Sequence, residues 1–169
     1  MSADFGISGG GRSAEEMFRE ITGAERPLRA ADGDALLDGA PIEVKRATSG
    51  TINQVRAIKY IPLVIYFAPE DEWYVVPAHN VVAAVSRKRR GQHTENPFES
   101  ATLNLSNLSD YRVEDVKQLS ARVREAVASS ASYPALRDAM RSILADSKAL
   151  AAESLERVRA LLRELGILM

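Results

Sequence analysis

The dipeptide Asp38-Gly39, set between two short runs with an apolar face, constrains this chain more than any other local feature. Asp-Gly suits the two positive φ values of a type I′ turn, the two-residue link whose twist matches a β-hairpin. Residues 34 to 37 and 40 to 47 are therefore expected to pair, and the turn sets the register. Leu37 faces Ala40, Leu36 faces Pro41, Ala35 faces Ile42 and Asp34 faces Glu43. Hydrogen-bonded and non-hydrogen-bonded pairs alternate, so Asp34/Glu43 is of the second kind, with Cα atoms about 4.5 Å apart. Pro41 sits in a pair of the same kind, where its missing N–H is not needed. Lys45, two residues past Glu43, shares the acidic face. Ala35, Leu37, Ala40, Ile42 and Val44 make the opposite face apolar, so one side is expected to be core and the other a site. Two facing acids weaken a hairpin unless a cation lies between them.

Composition limits which cation that is. The chain has no cysteine and only two histidines, His79 and His93, which excludes disulfides, thiolate zinc sites and thiol nucleophiles and disfavours a histidine-rich centre. Oxygen ligands remain, and they favour a hard ion such as Mg²⁺. Apolar residues make up 46% and charged residues 27% of the 169, as in an ordinary globular protein. No apolar run approaches the length of a membrane span, so a cytoplasmic protein is expected, with no membrane partner. A net charge of -1 and a pI near 6.2 do not announce nucleic-acid binding, which then depends on local patches.

The length suits one compact domain with appendages. Residues 1 to 12, with Gly9-Gly10-Gly11, read as a flexible lead-in. Ser13 and Glu16 form a capping box ahead of the stripe Met17, Phe18 and Ile21, predicting a helix that ends near Gly23. Thr51 can cap a short helix through Tyr60, and Pro62 marks the switch to the apolar strand Leu63-Val64-Ile65-Tyr66-Phe67. The acidic turn Glu70-Asp71-Glu72 leads into a strand, Trp73-Tyr74-Val75-Val76. Strands bracketing a crossover helix predict an α/β fold, a mixed central sheet flanked by helices. A further helix is expected from Ala78 to about Arg87, with His79 as a cap or surface residue. Residues 13 to 109 would form the core.

Residues 110 to 169 read as a C-terminal helical region that packs on the core or forms a dimer interface, with one helix to about Ala128 and a longer one from Pro134. In the latter Leu144, Ala151, Leu155, Val158, Leu162, Leu165 and Met169 follow a four-three spacing that Lys148 interrupts. Such a seam needs a partner, either the preceding helix or a second subunit.

The stretch Gly33-Asp34-Ala35-Leu36-Leu37-Asp38-Gly39-Ala40-Pro41-Ile42-Glu43-Val44-Lys45 resembles the PD-(D/E)XK nuclease superfamily, which includes restriction endonucleases and Holliday-junction resolvases. Its pattern is an acid on one strand and Glu-X-Lys on the next. The resemblance spans residues 13 to 78 and implies a restriction-endonuclease-like fold in which Asp34 and Glu43 coordinate Mg²⁺, or Mn²⁺ in its place, with the Val44 carbonyl as a further ligand. It implies that Lys45 serves the nucleophilic water, that Glu15 or Glu16 on the first helix joins the site, and that Gln54 is the polar residue on the helix after the lysine strand. Gly33 departs from the pattern, which has proline there. Asp38 fits the turn and Asp32 lies beyond the paired segment, so Asp34 is the better metal acid. Glu-X-Lys alone recurs by chance on solvated strands, and its context is what gives it weight here.

The run Arg87-Lys88-Arg89-Arg90 opens a polar loop that continues Gly91-Gln92-His93-Thr94-Glu95-Asn96. Four adjacent cations suit a helix end or phosphate contacts, and Gln92, His93 or Asn96 could contact DNA, Gln92 and Asn96 at base edges. Together these readings predict a magnesium-dependent endonuclease acting on double-stranded DNA. The loop and the acidic balance favour a type II restriction enzyme; a structure-selective nuclease such as a Holliday-junction resolvase, or a non-catalytic DNA-binding module of the same fold, are the alternatives. One metal centre per chain implies a homodimer for cutting both strands. An adjacent gene for a companion DNA methyltransferase would point to restriction.

Overall fold

The computed structural model describes residues 13–29, 33–146 and 148–169; the expected lead-in, residues 1 to 12, and Asp32 lie outside them. The first helix, α1 (Ala14–Thr22), forms as its capping residues require. The Ser13 hydroxyl accepts the Glu16 N–H at 3.2 Å, and Gly23, at φ 76°, sends its N–H to the Arg19 carbonyl. The hairpin of β1 (Ala35–Leu37) and β2 (Ala40–Ala47) turns through Asp38 and Gly39 at φ 52° and 82°, and its pairs from Leu37/Ala40 to Ala35/Ile42 are those the turn dictates.

β2 runs parallel to β4 (Leu63–Phe67), whereas β5 (Glu72–Val76) and the two-residue β7 (Arg112–Val113) add antiparallel. The result is a five-stranded mixed sheet in the order β1-β2-β4-β5-β7. β4 is apolar throughout because both faces are covered. Val64 and Tyr66 enter a core with Phe18, Val44, Trp73 and Val123, while Leu63 and Ile65 enter a second with Val76, Val82, Phe98 and Leu162. α1 and α3 (Leu119–Ser130) supply the first layer. The second comprises α2 (Ala78–Ser86), α4 (Leu136–Leu144), α5 (Ala151–Glu164) and a separate ribbon of β3 (Thr51–Val55) and β6 (Ala101–Asn104). Among the described residues, no helix is long and apolar enough to cross a membrane.

Four expectations need correction. Residues 51 to 60 form no α-helix: β3 takes the first half and a 3-10 turn, Ala57–Lys59, the second. Ile52 and Val55 can both be buried when β3 pairs with β6, and that partner arrives some fifty residues later in the chain. From Asp110 the chain ends a 3-10 helix, Leu105–Tyr111, and then adds β7 to the sheet, so α3 begins only at Leu119. The long terminal helix is two, because the chain reverses between Ala145 and Leu150. That reversal lets Leu155, Val158 and Leu162 fold back against α2 and α4; the Asp146 carboxylate steadies it, accepting the Lys148 N–H at 3.0 Å and an Arg157 hydrogen bond at 3.1 Å. His79 is buried rather than a cap or surface residue, its ring 4.8 Å from that of Tyr133.

Candidate functional site

The hairpin register holds as far as Ala35/Ile42 and then bends. Instead of facing Glu43 through a regular ladder pair, Asp34 donates its N–H to the Ile42 carbonyl at 2.9 Å, and its carboxylate accepts the Val44 N–H at 2.8 Å. A side chain thus takes the place of the next backbone acceptor. Gly33 makes the bend possible: its φ is 93°, and a Cβ there would stand 2.9 Å from the Ile42 carbonyl oxygen. The residue that departs from the superfamily pattern is therefore the one this backbone path requires.

Glu43 and Lys45 share a face of β2, as the strand period demands. The face is not wholly open, because Ala47 farther along it lies in the second core. Both sides of the sheet are packed, and the acidic cluster sits where that packing ends, near the hairpin edge. The Lys45 ammonium is 3.9 Å from one Glu43 oxygen, and the Lys59 ammonium is 3.3 Å from the other. Lys59 comes from the 3-10 turn. Nothing in the sequence singled it out, because a cation inside a segment read as helix has no distinguishing pattern. Val55 and Arg56, at the end of the ribbon strand, line the same recess as Glu43 and Lys45.

The electrostatics are those of crowded acids. Burial raises the Glu43 carboxyl above the ordinary glutamate value, the charge of Asp34 raises it further, and Lys59 and Lys45 draw it back. Glu15 is raised in the same way, by burial first and Asp34 second, with Arg19 opposing. Asp34 is thus the charge felt by both glutamates. Glu16 is exposed and belongs to the cap of α1, whereas Glu15 is half-buried toward Asp34.

Asp34, Glu43 and the Val44 carbonyl are hard oxygen donors, and their chemistry fits Mg²⁺. Among the described residues, no three histidine, cysteine or carboxylate side chains are grouped closely enough to hold a metal unaided. Two carboxylates completed by a backbone carbonyl and water suit magnesium, which keeps several waters.

The remaining expected residues fall elsewhere. Gln54 lies on β3, exposed, at φ 55°, and not on a helix beside Lys45. Arg87 ends α2, and Arg89 and Arg90 are exposed while Lys88 is half-buried. Arg159 fixes this corner by donating to the Ser86 carbonyl at 2.6 Å and the Lys88 carbonyl at 3.1 Å. Gln92 and Asn96 have internal duties: the Gln92 side-chain oxygen accepts the Gln54 N–H at 2.7 Å, and that of Asn96 accepts the Phe98 N–H at 2.9 Å. His93 is exposed at φ 62°. Comparison with protein-family models, with curated proteins and with solved structures finds no match for this chain.

Proposed function

We propose that this protein is a magnesium-dependent endonuclease that hydrolyses phosphodiester bonds in double-stranded DNA, with a core of the PD-(D/E)XK kind, acting as a homodimeric type II restriction enzyme. The observation that carries the reading is the gathering of Asp34, Glu43 and Lys45 on one bent hairpin, with Glu15 brought to Asp34 from α1. Crowded carboxylates are costly to keep together, and a divalent cation offsets that cost.

Asp34 and Glu43, with the Val44 carbonyl, would hold the ion. When bound, it supplies Lewis acidity toward a phosphate oxygen and lowers the pKa of water. The protein contributes position and charge. The Val44 N–H fixes the Asp34 carboxylate. Lys45, steered by Glu43, offers an ammonium to the attacking water or to a non-bridging phosphate oxygen, where charge grows as the new P–O bond forms and the old one breaks. Lys59 places a second cation against Glu43 and balances the acidic cluster while DNA approaches. Each chain carries one such centre, so cutting both strands together takes two chains.

The test is direct. Purified protein should nick or linearise plasmid DNA with Mg²⁺ or Mn²⁺ and stop in EDTA. Lys45→Ala should lose cleavage by at least about a hundredfold and keep DNA binding. Undiminished cleavage by Lys45→Ala would remove the assignment. Discrete bands indicate sequence recognition, and cleavage confined to branched DNA indicates a resolvase.

A further inference from the structure

The ribbon of β3 and β6 has an outer face that the cleavage chemistry does not use. Ile52 pairs with Leu103 and Val55 with Ala101, so Asn53 and Gln54 together stand against the single residue Thr102. That is a β-bulge, and its extra residue is Gln54 at φ 55°, a conformation costly for any residue but glycine. In a regular strand, neighbouring side chains point to opposite faces. Here Asn53 and Gln54 are both exposed while Ile52 and Val55 are both buried. The bulge therefore delivers two amides to one face.

The surroundings hold this shape. Gln92 accepts the bulge N–H at 2.7 Å, while its own N–H goes to the Ser100 carbonyl at 2.8 Å. The Thr102 hydroxyl lies 3.1 Å from the same Gln92 oxygen and 3.2 Å from the Asn53 oxygen. From Thr51 to Arg56 and from Ala101 to Asn104 the ribbon has no acidic residue. β3 ends in Val55 and leads into Arg56, which line the recess with Glu43 and Lys45, so the end of the ribbon borders that site. A two-stranded ribbon fits the major groove of B-DNA, and Asn and Gln amides pair with both the N6 and N7 edges of adenine.

We propose that the β3–β6 ribbon enters the major groove of duplex DNA and that Asn53 and Gln54 read base edges there, with Gln92 as the positioning residue that holds the bulge; this rests on the nuclease reading of the adjoining site. The specific sequence then contains A·T pairs, and Arg87 to Arg90 contribute phosphate contacts rather than selectivity.

The experiment selects bound sequences from a random duplex pool in Ca²⁺ and measures affinity for the enriched and a scrambled duplex across a salt series. Wild-type protein should enrich a sequence with A·T pairs. Asn53→Ala, and Gln54→Gly, which suits the positive φ, should each cut the affinity ratio between about fivefold and a hundredfold. The dependence of binding on salt should stay unchanged, because neither side chain is charged. Gln92→Ala should reduce the ratio in the same way, whereas a merely structural role would lower the melting temperature and leave the ratio alone. Variants that keep the wild-type ratio while melting normally would overturn the proposal, as would a wild-type protein that enriches no sequence. A parallel Mg²⁺ cleavage assay separates the two readings: cutting with unaltered selectivity in the variants removes the ribbon alone, and ribbon-dependent enrichment without cutting removes the nuclease alone.

Discussion

Asp34 does two things with one carboxylate: it accepts the Val44 N–H, and it sets a negative charge beside Glu15 and Glu43. Both glutamates are raised above the ordinary 4.5, so the folded protein holds their protons more tightly than the unfolded chain does. That contribution to stability is fully present below the ordinary value and is lost as pH rises through the raised ones. Asn at position 34 keeps an acceptor for the Val44 N–H and removes the charge. In EDTA at pH 8, Asp34→Asn should therefore be more stable than wild type by about 0.5–2 kcal/mol, with the difference shrinking as the solution is acidified through the carboxylate range. Added Mg²⁺ should raise the melting temperature of wild type and leave the variant unmoved. Thermal melts over pH check both halves, and a variant less stable than wild type at pH 8 without metal would make Asp34 a structural residue. The face shared by Glu43 and Lys45 was legible because the strand period fixes it, whereas the bend that takes Asp34 out of the ladder was not. Lys59 was not legible either, because only tertiary packing brings its turn to Glu43.

α1 is the element that presents Glu15, and Ala14, Met17 and Phe18 seat it in the first core. Phe18 is fully buried, with its ring 6.3 Å from that of Trp73 on β5, which in turn lies 4.8 Å from Tyr66 on β4. Phe18→Ala should cost about 3–5 kcal/mol and change the emission of Trp73, the only tryptophan. Denaturant titration followed by fluorescence measures both, and a loss under about 1 kcal/mol would show that α1 docks by other means. The capping box made this helix readable, as the Asp-Gly turn did the hairpin. β3 was misread because Thr51 and the polar residues after it satisfy helix-start rules locally, and the strand that overrides them is remote. The break between α4 and α5 has neither glycine nor proline to mark it; with it, Leu155, Val158 and Leu162 of α5 are buried in the second core.

Across the whole molecule a net charge of -1 conceals an uneven distribution, with Arg87, Arg89 and Arg90 exposed at one corner that Arg159 anchors to α5. Under the nuclease reading these groups meet phosphates. Replacing Arg89 and Arg90 together by Ala should reduce the slope of log K against log salt by about 2, close to one for each phosphate that is no longer neutralised. Fluorescence anisotropy with a short duplex measures the slope, and an unaltered one would move the phosphate-binding groups elsewhere. Part of the leucine seam of α5 is spent inside the chain, where Leu155, Val158 and Leu162 are buried in the second core, while Ala151, Leu165 and Met169 stay exposed.

Short-range chemistry settled what the sequence determined alone: the capped first helix, the type I′ hairpin, the apolar central strand, and a face shared by Glu43 and Lys45, each decided by groups a few residues apart. Tertiary structure decided the rest. It pairs β3 with β6, folds α5 back on the core, bends Asp34 out of the ladder at Gly33 and brings Lys59 to Glu43. Apart from the bend at Gly33, which lies within the hairpin itself, these outcomes depend on surfaces that meet only after distant parts of the chain have packed, and no local pattern records which surfaces those will be.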